Sequence, residues 1–154
     1  MRCLAKRCSA ALGGALLLLA AACGKPEADL PGDAYVWQRS WTPPVSQALA
    51  DGADVVRAWR VLMAEMNPDG RWFGAAPDLA ALAAAKRPVI MVLRLDGRAD
   101  ALPAADVLAR IETASSAWRA AGIALAGVEI DYDCPTSKLP AYAAFLESLK
   151  RGLG

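Results

Sequence analysis

The chain has 154 residues, with 17 basic and 16 acidic side chains, four cysteines and no histidine. So even a charge balance leaves no electrostatic footprint for a nucleic-acid partner. The lack of histidine removes the commonest metal ligand, the commonest general base and every imidazole triad, and neither a cofactor nor a metal centre is expected.

Residues 1–22 read as an export signal. Arg2, Lys6 and Arg7 make a basic start, and the apolar run from Ala10 to Ala22 is short for a bilayer span. The run ends in Ala20-Ala21-Ala22-Cys23-Gly24, which resembles the lipobox of bacterial lipoproteins. That resemblance implies lipidation of Cys23, a membrane partner through the lipid, and residence in the bacterial cell envelope. Gly24 after the cysteine resembles the lipoproteins sent on to the outer membrane. Without residues 1–22 the chain keeps 14 basic against 16 acidic residues, a net charge of −2. Cys3 and Cys8 leave with the signal and Cys23 carries lipid, so Cys134 has no disulfide partner and reads as an inert buried thiol. Residues 23–32 are polar and turn-rich, a tether, and residues 33–154 form the domain.

Within that domain strands and helices alternate. Ala34 to Arg39 reads as a strand, rich in aromatic and β-branched residues. A helix follows, with Thr42 as N-cap, Pro43 in the first turn and Gly52 as C-cap. Val55 to Ala64 is the second strand, Asn67-Pro68-Asp69-Gly70 a turn, and Pro77 to Ala85 a short helix. The apolar run from Pro88 to Leu95 is the third strand. A helix from Ala104 places Leu108, Ile111, Ala114 and Trp118 at helical spacing and stops near Gly122. Ile123 to Asp133 is the fourth strand, and a last helix starts near Lys138, capped by Thr136 or Ser137. The alternation predicts an α/β fold of parallel βα units. No glycine-rich phosphate loop follows any strand, which leaves a parallel (βα)4 half of a TIM-like (β/α)8 barrel as the expected fold, with an open doubly wound sheet as the alternative. A full barrel takes about 250 residues, so a second half is expected to come from self-association or a separately encoded chain.

The chemistry concentrates in the fourth strand, where Glu129, Asp131 and Asp133 alternate with Val128, Ile130 and Tyr132. Two-residue spacing puts the three acids on one face of the strand. With helices on either side in sequence, both faces of that strand are expected to be covered, so three acids aimed one way mark a site. One protonated carboxyl beside an ionised one is the division of labour used in cleaving glycosidic bonds. A structural reading stands beside it, in which the acids pair with Arg39, Arg60 or Arg94 of neighbouring strands. Calcium held by acids at this spacing is a third reading. Glu65 and Asp96 fall near the ends of the second and third strands and join Trp37, Arg39 and Arg94 as candidate binding residues. Trp37, Trp41 and Trp72 are candidates for a platform under sugar rings.

Taken together, Tyr35 to Trp41, Trp59-Arg60-Val61-Leu62, Arg94-Leu95-Asp96-Gly97, Gly127 to Cys134 and Leu139-Pro140-Ala141-Tyr142 resemble an uncharacterised bacterial lipoprotein family, domain of unknown function 3142, in its amino-terminal half. A more distant likeness is to chitinase-like glycoside hydrolases, whose fourth barrel strand reads Asp-Gly-x-Asp-x-Asp-x-Glu. In that register Gly127 and Asp131 match, Glu129 is a conservative change, Ala126 departs from the first Asp, and Asp133 stands where the acid glutamate would be. The resemblance implies an enzyme acting on glycosidic bonds, with Asp133 as acid and Asp131 and Glu129 positioning or tuning it. The alternative is a non-catalytic glycan-binding or structural lipoprotein, favoured by the shorter Asp133 side chain.

Overall fold

The computed structural model describes residues 32–154. The export signal, Cys23 and nearly all of the tether lie outside the described residues. The order of elements is β1 (Gly32–Val36), α1 (Pro43–Asp51), β2 (Val56–Met66), β3 (Trp72–Gly74), α2 (Leu79–Ala84), β4 (Val89–Leu95), α3 (Ala104–Ala120), β5 (Leu125–Tyr132), a single 3-10 turn (Thr136–Lys138), and α4 (Leu139–Leu153). This is a mixed α/β fold with a mostly parallel five-stranded sheet, and the sheet is not closed.

The sheet runs β1-β2-β4-β5, every neighbouring pair parallel, so the long strands lie side by side in chain order. The sequence did not anticipate β3, a three-residue strand antiparallel to Ala64–Met66 of β2. β4 already holds the other edge of that segment, so β3 must extend the edge that β1 occupies lower down. The Asn67–Gly70 turn makes this hairpin possible: Gly70 takes φ 79, where a side chain would be strained, and Asn67 and Arg71 pair through Asn67 N–H to Arg71 O at 2.9 Å. β1 starts earlier and ends sooner than expected, taking in Gly32 of the tether and Asp33 beside it and releasing Trp37 to Arg39.

Cap chemistry fixes the helix ends. Asp78 accepts from the Ala81 N–H at 3.0 Å and starts α2. At the end of α3, Gly122 adopts φ 83 while Gly122 N–H bonds Arg119 O and Ile123 N–H bonds Trp118 O, which tucks Ile123 into the core. Neither Thr42, Thr136 nor Ser137 makes the expected side-chain cap. Pro43 and Pro140 stand in the first turns of α1 and α4, where no helical donor is lost.

One core collects the apolar faces. Leu49, Leu82, Val107, Ile111, Trp118, Phe145 and Leu149 from the four helices join Trp59, Val61, Met66, Val89, Met91, Leu93, Leu95 and Tyr132 from the strands. The alternate strand residues, Tyr35, Arg60, Leu62, Ile90, Val92, Arg94, Glu129 and Asp131, fall on the other face by strand periodicity. Among the described residues no helix covers that face. The expectation that both faces of β5 would be covered is therefore corrected: its acids lie on a half-exposed surface.

Candidate functional site

The helix-free face is a layer of acids and guanidinium groups laid over apolar residues. Leu62 and Val92 at its centre are 1% and 0% exposed. Around them the strand register sets opposite charges side by side. Glu129 stands level with Val92, and Asp131 stands opposite Arg94, which in turn stands opposite Glu65. A bulge at Met63 brings Glu65 to this level. Leu62 pairs Val92, Met63 is passed over, and Ala64 pairs Leu93. Uninterrupted alternation would put Ala64 beside Arg94 instead.

Arg60 is the hub at the β1 side. Its Nε and Nη2 donate to Asp33 Oδ2 at 3.0 and 2.8 Å, and its Nη1 donates to Glu129 Oε2. Arg57 Nε donates to Asp33 Oδ1 at 2.9 Å. These two arginines hold the Asp33 carboxyl below the usual value of 3.8. The Tyr35 hydroxyl donates to Glu129 Oε1 at 2.9 Å, and this bond to a carboxylate, with some burial, pushes the phenol upward. Tyr35 and Trp37 stack with ring centroids 5.2 Å apart and planes 1° from parallel. Arg60 lies over the Tyr35 ring at 5.6 Å and Arg94 over Trp37 at 5.8 Å.

Arg94 is the hub at the carboxyl ends of the strands. Its Nη1 meets Asp131 Oδ2 and its Nη2 meets Asp133 Oδ2, each at 3.3 Å. Burial pushes the Asp131 carboxyl above 3.8. Arg94 opposes that rise, while Asp133, Glu129 and Glu65 add to it. Asp133 lies past the end of β5 and its side chain is 78% exposed, against 28% for Asp131. Arg39 pairs with Glu65.

Of the residues singled out in the sequence, Glu129, Asp131, Asp133, Arg94, Trp37, Glu65 and Arg39 share this face or its rim. Asp96 lies to one side. It accepts from the N–H, Nε and Nη2 of Arg98 at 2.9–3.0 Å, which lowers it to about 2. Together with Arg94, Gly97, Asp133 and Pro135 these two line a shallow hollow of about 370 Å³ at the strand ends. The tryptophan platform does not assemble. Trp72 Nε1 donates to Asp106 at 2.6 Å under Arg110, and Trp41 packs against the core. Cys134 is half-buried and its thiol donates to Pro135 O at 3.4 Å.

Asp33, Arg57 and Tyr35 escaped the sequence reading. Tyr35 and Trp37 sit two apart in one strand, which was the available signal for a shared face. Asp33 was hidden by the turn-like Pro31-Gly32 before it. Among the described residues no cluster of three or more cysteine or acidic side chains could hold a metal ion. Chemically the face offers fixed carboxylate acceptors, guanidinium donors and aromatic edges on an open surface.

No curated protein and no solved structure matches the chain. Residues 85–154, a stretch that holds β4, α3, β5 and α4 and with them Arg94, Glu129, Asp131 and Asp133, match the family model described as a domain of unknown function (DUF3142).

Proposed function

We propose that this chain is a bacterial envelope lipoprotein, anchored through lipid on Cys23, whose helix-free sheet face binds carbohydrate. The sheet is read as half of a (β/α)8 barrel, because its long parallel strands follow chain order with the helix-packed core on one side. The observation that carries the binding reading is the Glu129–Asp131–Asp133 row, held by Arg60 and Arg94 beside the exposed rings of Tyr35 and Trp37. Alternating acceptors, donors and aromatic edges are what sugar hydroxyls and ring C–H groups require. Hydrolysis is the second reading, favoured by one observation: burial raises Asp131, the property that keeps a carboxyl protonated for transfer to a leaving oxygen. On that reading Asp131, rather than the exposed Asp133, is the acid.

Calorimetric titration with β-linked N-acetylhexosamine oligosaccharides tests both readings. Binding that weakens about tenfold in Arg94→Ala supports the first. Release of new reducing ends that is lost in Asp131→Asn adds the second. A wild-type chain that binds none of these sugars overturns both.

A further inference from the structure

Among the described residues, the large apolar side chains left exposed gather at the two sides of the sheet. On one side are Tyr35, Trp37, Val55 and Phe73, around β1, the start of β2, and β3. On the other are Leu139, Leu146 and Leu153 of α4, the helix that follows β5. Their seven-residue spacing makes a single stripe along that helix, next to the buried Phe145 and Leu149. Leu153 also walls a groove of about 490 Å³ that runs beside β5 against α3.

The β1 side has the complementary shape. Val36, Pro44, Val45, Ala48 and Trp59 line a groove of about 300 Å³ between β1 and α1. The outer edges of β1 and β5 have no strand partner among the described residues, and both strands run the same way. Exposed charges of both signs flank both sides: Arg39 and Arg57 with Asp51 and Asp54 near β1 and α1, and Asp133 with Lys150 and Arg151 near β5 and α4.

We propose that these two sides form an interface between two copies of this chain. β5 of one copy pairs in parallel with β1 of the other, and the α4 leucine stripe seats in the partner's groove between β1 and α1. A two-fold axis along the strands makes both contacts at once. Four long parallel strands from each copy then close an eight-stranded ring. The inference rests on the half-barrel reading above and deepens it. Closure brings Trp37 and Arg39 of the second copy toward the acid row of the first, so each binding face draws residues from both copies.

Light scattering on the 154-residue chain in detergent, with circular dichroism as the control for folding, tests this. A particle holding two chains is expected, with Leu146→Glu raising the dissociation constant about tenfold or more while helix content is unchanged. Leu146 is itself exposed in the single chain, so this change does not unfold it. A monomer at tens of micromolar overturns the proposal, whether the edges stay open or further residues of a longer polypeptide cover them. A dimer indifferent both to Leu146→Glu and to Val45→Glu also overturns it, because it would use another surface. Sugar binding by a monomer would sink the dimer and leave the carbohydrate reading standing.

Discussion

Asp131 and Asp96 lie close in the fold but respond to pH in opposite directions. Asp131 is raised above 3.8 by burial, with Arg94 offsetting only part of that. Its contribution to stability is therefore complete below 3.8 and is lost as pH rises through its folded value. Asp96, lowered to about 2 by the side chain and N–H of Arg98, contributes fully above 3.8 and loses that contribution as pH falls toward about 2. Denaturant unfolding across pH should separate them. Asp131→Asn is expected to be more stable than wild type at pH 7, with the difference gone below 3.8. Asp96→Asn is expected to be less stable at pH 7, with the difference gone near pH 2. If Asp131→Asn destabilises the chain at pH 7, the ion pair with Arg94 outweighs the burial and the acid is structural. The charge of this face was legible in the two-residue spacing of β5, and its partners Arg60 and Arg94 were legible as strand neighbours. Which of Arg39, Arg60 and Arg94 meets the β5 acids was not, because pairing depends on register, and Arg39 pairs with Glu65 instead.

At the scale of elements, the helices and the two strands β4 and β5 could be read from their periods, and the cap at Gly122 from its glycine. β3 could not, since three residues carry no period. Glu65 was recognised as lying near a strand end, yet its face depended on the bulge at Met63. A close approach was equally invisible. A Cβ on Gly97 would lie 2.2 Å from the carbonyl oxygen of Asp133, so the loop after β4 and the end of β5 touch backbone to backbone. Gly97→Ala has no flexible side chain to push aside. It is expected to cost about 1–3 kcal/mol and to displace Asp133 from Arg94. A crystal structure of the variant with that pair intact would mean the loop yields instead. Gly152 differs, since its added Cβ would meet the Leu108 side-chain end at 2.5 Å where α3 and α4 pack, and that side chain can move aside.

For the molecule as a whole, the sheet has one finished side and one unfinished side. The finished side holds the helices and nearly all of the strongly buried side chains. The other keeps a charged layer in reach of water, and among the described residues the sheet has two unpaired edges, which an isolated domain would ordinarily cover or blunt. The proposed lipid anchor bears on this, because chains held on one surface would meet at raised local concentration. Among the described residues no helix is long and apolar enough to cross a membrane. The anchor proposed above is lipid on Cys23. Cys23→Ala is expected to move the protein from the membrane fraction to the soluble fraction of disrupted cells. Recovery of the variant in the membrane fraction would mean the amino-terminal segment itself stays inserted.

The bulge in β2 has one more consequence, which concerns length. Because Met63 has no partner on β4, the ladder on either side of it is already in step: Leu62 with Val92, then Ala64 with Leu93 and Glu65 with Arg94. A chain lacking Met63 would satisfy the same ladder to β4 with the same residues facing the same way, and would give up the bond from Ala75 N–H to the Met63 carbonyl at 2.8 Å. A residue lost from the ladder between Trp59 and Leu62 would turn every later side chain over, sending Glu65 into the apolar core. Parity against β4 is thus negotiable at Met63, and there the protein can change its length without changing its face.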